Sequence, residues 1–331
     1  MNDEFKQLLG GVRTRQLAKV IGDKVDGQAN TRKRAARILE KCGIKTKDDS
    51  KSDMLVYTTR EAISEMAGIL QSDHGKTDEQ LAEEFGKVIV GRTAVPDIAL
   101  SGRMLETGVL QDTAVEAALQ VAHAISTHEA RPEVDYYVAT DDIPGHDAGA
   151  GYVDEAMFSS ACFYKYFSIH WETLIKNLQG YNGKEEQLAA HTVGRFIRTA
   201  AVANPSGKQN SFAAHNPPDG MLVEIKEAPI SYANAFASPV AYGTRDIISQ
   251  SVAQLGQYVR DLDTGYGKPQ QRFWFSPNLR HHLTVIENKQ ECSLSENNFK
   301  SLDELITTVL DAMGHDWKAV QKAVISPEWA Q

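Results

Sequence analysis

The sequence predicts an α+β fold organised around a split βαβ core, and three features between Asp97 and Ile169 carry that expectation. Asp97-Ile-Ala-Leu-Ser-Gly-Arg-Met104 is a short apolar run with Gly102 near its end, the pattern of a buried strand. Thr113 to Thr127 has helical spacing, with Thr113 and Glu116 set as a capping box and Ala117, Val121, Ala124 and Ile125 on one face. Glu133-Val-Asp-Tyr-Tyr-Val-Ala-Thr140 and Met157 to Ile169 read as two further strands, joined through the glycine-rich loop Asp141 to Gly151.

Ahead of this core the chain reads as mainly helical. Glu4 to Ile21 has a helical pattern weakened by Gly10-Gly11. A second helix is expected from a cap at Asn30 or Thr31, with Ala35, Ile38 and Leu39 inward, to a stop at Gly43. Its outer face carries Arg32, Lys33, Arg34 and Arg37, which serve either solubility or phosphate binding. Met54 to Tyr57 is a short strand or extended entry, Thr58 and Glu61 are spaced as the next capping box, and a helix from Thr77 to Val88 ends by Gly91.

Behind the core, a helix from Lys184 to about Ala203 runs into the turn Asn204-Pro-Ser-Gly-Lys-Gln209. Phe212–Ala214 and Met221–Ile225 read as strands, Gln271–Ser276 as a buried aromatic strand, and 246–262 and 302–313 as helices packing on the back of the sheet. Ser293 to Asn298 is polar and is expected to be mobile.

Composition bounds the function. With 42% hydrophobic and 24% charged residues the 331-residue chain is a folded protein. The polar start and the lack of a long apolar run predict a cytoplasmic chain that makes no membrane contact. Three widely spaced cysteines, Cys42, Cys162 and Cys292, fit neither a disulfide framework nor a zinc ribbon and read as free thiols. The net charge of -9 speaks against a uniform coat of nucleic acid, but it is unevenly spread. Residues 1–60 hold 14 Lys and Arg against 8 Asp and Glu, whereas Pro132 to Tyr164 holds seven acids and no Lys or Arg. That asymmetry suits copies meeting head to tail, and equally a solvated acidic loop.

Several residues have the chemistry of a nucleic-acid surface. Gly102 permits close backbone approach, Arg103 can donate to phosphate, and Met104 is a flexible apolar wedge; the alternative is local pairing for Arg103 and a core place for Met104. Tyr136 and Tyr137 alternate on a strand, so one is expected in the core and the other free to stack on bases without reading them. Lys208, Gln209 and Asn210 form a turn able to sit beside a phosphate backbone, or an ordinary exposed loop. It is no Walker A loop, because Val202 stands where glycine is needed and Gln209 where Ser or Thr is needed. A metal-dependent nuclease would draw on His123, His128, Glu129, Asp141 and Asp142, although the five-residue spacing of the histidines does not put them on one helix face.

The ordered runs DIALSGRM, VAHAISTH, VDYYVATDDI, FSSACFYKYFSIH and GKQNSFAAHNP, from Asp97 to about Ile225, resemble the CasC family, the repeated backbone subunit of the type I-E CRISPR complex Cascade. The resemblance implies an RRM-like (ferredoxin-like) palm over 95–331, a helical fingers lobe over 1–94 and a thumb-like hairpin over about 138–159. It implies a non-catalytic scaffold without cofactor or metal, binding CRISPR guide RNA, copies of itself and other Cascade subunits, and meeting target DNA through the guide. It places Met104 at a kink of the guide and the strand Tyr136, Tyr137, Val138 to Thr140 at the start of the thumb, with Arg103, Lys208, Gln209 and Asn210 also at the guide. The family's opening core strand and Ser-Ser-Gln-rich basic helix have no counterpart before Arg13-Thr14, so the expectation is either a start at an internal methionine or a member without part of that core.

Overall fold

The computed structural model of the chain describes residues 11–48, 51–73, 75–105, 110, 114–140, 150–241, 246–287, 290–295 and 298–322. β1 (Gly11–Thr14) leads to α1 (Leu17–Val25), α2 (Ala29–Lys41), and the small strands β2 (Thr46–Asp48) and β3 (Lys51–Ser52). Then come β4 (Val56–Thr59), α3 (Arg60–Gln71), α4 (Asp78–Gly91) and α5 (Pro96–Ser101). The middle holds β5 (Leu119–Val121), β6 (Ile125–Ser126), β7 (Glu133–Thr140), β8 (Ala150–Phe158), β9 (Phe163–Tyr164) and β10 (Phe167–Ile169). After α6 (Trp171–Asn177), α7 (Glu185–Val202) and the one-turn α8 (Gln209–Phe212) come β11 (Met221–Ile225), α9 (Ile247–Tyr266) and β12 (Gln271–Phe275). The chain continues through β13 (Thr284–Glu287), β14 (Gln290–Ser293), β15 (Asn298–Phe299), α10 (Leu302–Ala312) and α11 (Trp317–Lys322). The architecture is mixed α+β with small sheets, and no helix among the described residues is long and apolar enough to cross a membrane.

The chain divides into two compact units, one of Met1–Gln120, Phe167–Ile197 and Met313–Gln331, the other of Val121–Tyr166 and Arg198–Ala312. The first is built on helix packing. Leu17 and Ile21 of α1, Ile38 and Leu39 of α2, Met66 of α3, and Leu81, Phe85 and Ile89 of α4 recur at helical spacing and are buried together. α4 opens on a capping box, in which Thr77 Oγ1 accepts from the Gln80 N–H while Gln80 Oε1 accepts from the Thr77 N–H. For α3 the cap is Thr59, one residue later than the Thr58–Glu61 spacing predicts, because β4 continues through Thr59 and only then turns inward to the helix. α2, in contrast, begins before the expected cap, at Ala29, and Thr31 Oγ1 bonds back to Asp26.

The second unit has a three-stranded sheet in the order β11, β12, β15, with the first pair antiparallel and the second parallel. β12 is the expected buried aromatic strand, with Phe273, Trp274 and Phe275 all buried. Trp274 packs with Val252, Leu255 and Val259 of α9, and its indole N–H donates to the His281 carbonyl at 2.8 Å.

Several expectations are corrected. Residues 11–14, inside the predicted helix Glu4–Ile21, form β1 and pair with β4 from Gly11↔Thr59 to Thr14↔Val56, and the helix starts at Leu17; Glu4–Gly10 lie outside the described residues. Gly11 disfavours helix and the β-branched Val12 and Thr14 favour extended backbone, and the Arg13 guanidinium lies 4.4 Å over the Tyr57 ring across the pair. The run from Asp97 is a helix, not a strand, since Pro96 takes the first helical position after the extended residue Val95. Residues 114–127 carry no helix: Val115 bridges to Arg103, and the short strands β5 and β6 lie further along, with irregular backbone between them. Thr113, the predicted cap, is outside the described residues. Met157 to Ile169 is not one strand but the end of β8 followed by β9 and β10, with Cys162 just ahead of β9. The split βαβ order is therefore not formed there; β7 pairs with β8, and β6 with β9. At 212–214, the expected strand is the last residue of α8 and the left-handed residue Ala213. The polar segment expected to be mobile includes Ser293 in β14 and Ser295, which is buried with its hydroxyl toward the Arg272 carbonyl.

Candidate nucleic-acid interface

In the first unit, α5 ends at Gly102, whose φ of 70° glycine alone adopts without strain. A Cβ at this position would lie 2.7 Å from the Val115 carbonyl oxygen, so a side chain is excluded by space as well. The next residue, Arg103, is tied to Val115 by reciprocal backbone bonds of 2.9 and 2.7 Å. Its guanidinium points inward. Nη1 donates at 2.9 Å to the carbonyl of Ile89, in the last turn of α4, where a helix presents unpaired acceptors and a partial negative charge. Nε and Nη2 are buried with no hydrogen-bond partner among the described residues, and burial lowers the guanidinium pKa to about 10. The local-pairing alternative thus describes Arg103, while Met104 follows the opposite alternative and stands 77% exposed.

In the second unit, β7 and β8 pair from Glu133↔Phe158 to Thr140↔Ala150, with a register shift at Ala139/Thr140. Val134, Tyr136 and Val138 project from one parity of β7 and Tyr137 from the other, and all four are exposed. The expectation that one of the two tyrosines would be core is therefore corrected, because among the described residues neither face of this two-stranded ribbon is buried at the tyrosines. Val153 and Met157 add exposed apolar surface on β8, and the Tyr137 hydroxyl donates to Asp154 directly across the ladder at 3.1 Å. Val134 was missed by the sequence reading, although β-branched and aromatic residues on both parities of one strand are the signal that would have found it. The Thr140 side chain and residues 141–149, including Asp141 and Asp142, lie outside the described residues.

The Lys208 turn lies in the same unit. Lys208 is exposed and left-handed at φ 59°, and Ala213 closes the one-turn α8 at φ 47°. Gln209 does not face outward. Its amide nitrogen donates to the carbonyls of Pro205 at 2.7 Å and Ala214 at 3.4 Å, which ties the two ends of the turn together. Asn210 is exposed. The ring of Phe212, next along, meets Phe158 at the base of β8 edge to face, a contact that no sequence pattern announced.

The other candidates separate from this surface. On α2, Arg32 pairs with Asp23, Arg34 with Asp73 and Asp78, and Arg37 with Asp78, so much of the basic face is matched by acids of its own unit. His128 is buried between backbone partners, with Nδ1 2.8 Å from the Glu129 carbonyl and Nε2 accepting from the Cys162 N–H at 3.1 Å. His123 is exposed. Among the described residues, no three His, Cys, Asp or Glu side chains come together as a metal site.

No curated protein matches the chain. A solved chain described as "CRISPR RNA-guided surveillance complex, pre-nicking" is similar with a TM-score of 0.75 at 24% identity, over 94% of this chain and 89% of that one, and shows the shared fold. A second, described as "CRISPR RNA-guided surveillance complex", is similar with a TM-score of 0.55 at 29% identity, over 70% of this chain and 82% of that one. The resemblance drawn from the ordered motifs is thereby borne out at the level of a CRISPR surveillance-complex family, without its type I-E subtype. The profile described as "CT1975-like protein" matches residues 1–308, and the chain belongs to that family.

Proposed function

We propose that the chain is a non-catalytic scaffold subunit of a type I-E CRISPR surveillance complex, which polymerises head to tail along the guide RNA and presents it for pairing with target DNA. The observation that carries this reading is the β7–β8 hairpin. A two-stranded ribbon is marginal alone, and one that exposes Tyr136, Tyr137, Val138, Val153 and Met157 on its two faces is built to be covered by something. Aromatic faces stack on any base, which suits a subunit that accepts every guide sequence. The fold and family likeness to chains of CRISPR RNA-guided surveillance complexes supports guide RNA and companion subunits as the partners.

In this reading Met104, Tyr136, Tyr137, Val138, Thr140, Lys208 and Asn210 face the guide. Arg103 holds Met104 out from beneath and Gln209 holds the turn that presents Lys208. The fingers lobe and RRM-like palm of the resemblance are part of the same proposal, with the helical core around Phe85 as fingers and the sheet β11–β12–β15 within the palm. The test is co-expression with a guide transcript and the companion subunits, purification through this chain, and nuclease mapping of the bound RNA. Protection at regular intervals is expected; an RNA-free chain overturns the reading.

A further inference from the structure

We propose that Phe158 and Phe212 form a joint that fixes the hairpin against the Lys208 turn, so that both grip one stretch of guide as a clamp of set geometry. The inference rests on the guide-binding reading above and names the residues that position its two parts. Phe158 is the last residue of β8 and pairs across the ladder with Glu133, the first of β7, so it sits where the hairpin leaves the body of its unit. Its ring lies 5.1 Å from that of Phe212 at an interplanar angle of 62°, an edge-to-face contact whose energy depends on orientation as well as distance.

Phe212 is held on its side. Its own N–H donates to the Lys208 carbonyl at 2.9 Å, the Ala213 N–H donates to Gln209 at 2.8 Å, and the Gln209 amide links Pro205 to Ala214. Two non-glycine residues in left-handed backbone, Lys208 and Ala213, bracket this single turn. Such conformations persist only where the surroundings impose them. Yet Phe212 remains 40% exposed, so the pair adds little to a hydrophobic core. What it does supply is angle. β7 has eight residues and reaches about 26 Å at roughly 3.3 Å per residue, so a 10° rotation at the base displaces the far end by about 4–5 Å. Tyr136 to Thr140 lie along that lever, and Lys208 lies four residues from the other ring of the joint.

A double-mutant cycle tests the joint. The full chain as wild type, Phe158→Leu, Phe212→Leu and the double variant is titrated with guide transcript, and the melting temperature of each is recorded. Each single change is expected to weaken binding and the double to be little worse than either, with non-additivity of about 2- to 12-fold in affinity, the range of an aromatic pair. Phe212→Tyr keeps the ring and is expected to bind like wild type. If a leucine variant does not fold, the methionine variant at the same position, Phe158→Met or Phe212→Met, which retains apolar bulk without a ring, replaces it. Affinity effects that multiply independently, or coupling confined to the melting temperature, overturn the joint while guide binding stands. A wild-type chain that binds no guide overturns the guide-binding reading, and the joint with it.

Discussion

Replacing Arg103 by methionine separates a phosphate contact from a supporting role. Arg103 is 5% exposed and burial lowers its pKa from the ordinary guanidinium value to about 10, which at ~1.4 kcal/mol per unit corresponds to a burial penalty of about 3 kcal/mol. Against this stand the Nη1 bond to Ile89, worth about 1.5–3 kcal/mol for a charged donor, and the favourable placement of a cation at the end of α4, worth about 0.3–2 kcal/mol. The opposing contributions are similar in size. Arg103→Met, which keeps the length and bulk, is therefore expected to unfold in urea within about 2 kcal/mol of wild type, not with the ~3–5 kcal/mol loss of a broken buried ion pair. Guide affinity is then measured across salt concentrations. Each phosphate contact on a single strand contributes about 0.7 to the slope of log affinity against log salt. Lys208→Ala is expected to lower the slope by about that amount and Arg103→Met to leave it unchanged. A drop of ~0.7 in the Arg103 variant would show that the guanidinium reaches a phosphate in the complex, and would refute the supporting role derived from its burial.

Other outcomes follow from exposure and burial. Tyr136→Ala should weaken guide binding about 5- to 150-fold, the range of one stacked base at ~1–3 kcal/mol, with an unchanged urea midpoint because the ring is 68% exposed; fluorescence anisotropy and unfolding curves read the two effects. Burial pushes the Cys42 thiol up to about 12, so in the native chain iodoacetamide at pH 8 should label Cys162 and Cys292, both half-buried, and spare Cys42, as mass spectrometry would show. The folded chain keeps the Cys42 proton that the unfolded chain gives up, so this residue's contribution is intact below about pH 9 and is lost as pH rises towards 12. His191 behaves oppositely: burial, followed by the neighbouring Arg195, lowers its pKa from 6.5 to about 4, so the unfolded chain takes up the proton first and stability falls as pH drops between those values. The loss is at most about 3 kcal/mol, and His191→Gln should flatten that part of the melting-temperature profile.

Helix starts were legible in the sequence only in part: the helices expected from Thr77 and Asp246 form, whereas Thr59 and not Thr58 caps α3, and Asn30 and Thr31 lie inside α2. Thr77 and Gln80 announce α4, and Asp246 heads α9 by accepting from the Ser249 N–H, as the helix expected from that residue requires. The sequence misled where local pattern had to decide without tertiary partners, by apolar periodicity at Asp97–Met104 and by periodicity together with the Thr113–Glu116 spacing at 113–127. Ile98, Ala99 and Leu100 satisfy a short strand and a short helix equally, and Pro96 at the first helical position settled the matter. The alanine-rich stretch 114–127 has helical spacing but takes its pairing from Arg103, β9 and β10, partners that local propensity does not see. Within the candidate interface, Met104 is exposed as a wedge must be, but the inward turn of Arg103 depends on a carbonyl 14 residues earlier. Alternation predicted one buried tyrosine in β7, and it failed because the rule presumes a sheet with an inside.

The pair β11 and β12 carries a safeguard against slipping. Glu224 stands directly opposite Arg272, which also holds Asp263 of α9 through bonds of 2.6 and 2.7 Å, while Lys226 and the Tyr232 hydroxyl complete the carboxylate's partners. All of these charges lie in partly or fully buried positions, where an unmatched ion is heavily penalised. Displacing β11 by one residue would send Glu224 to the opposite face and strand Arg272 with one carboxylate fewer, while Leu222 would leave the apolar layer it packs in. The ion network and the apolar layer therefore agree on one strand alignment, and the penalty for unmatched charge adds to the loss of apolar packing in any neighbouring register.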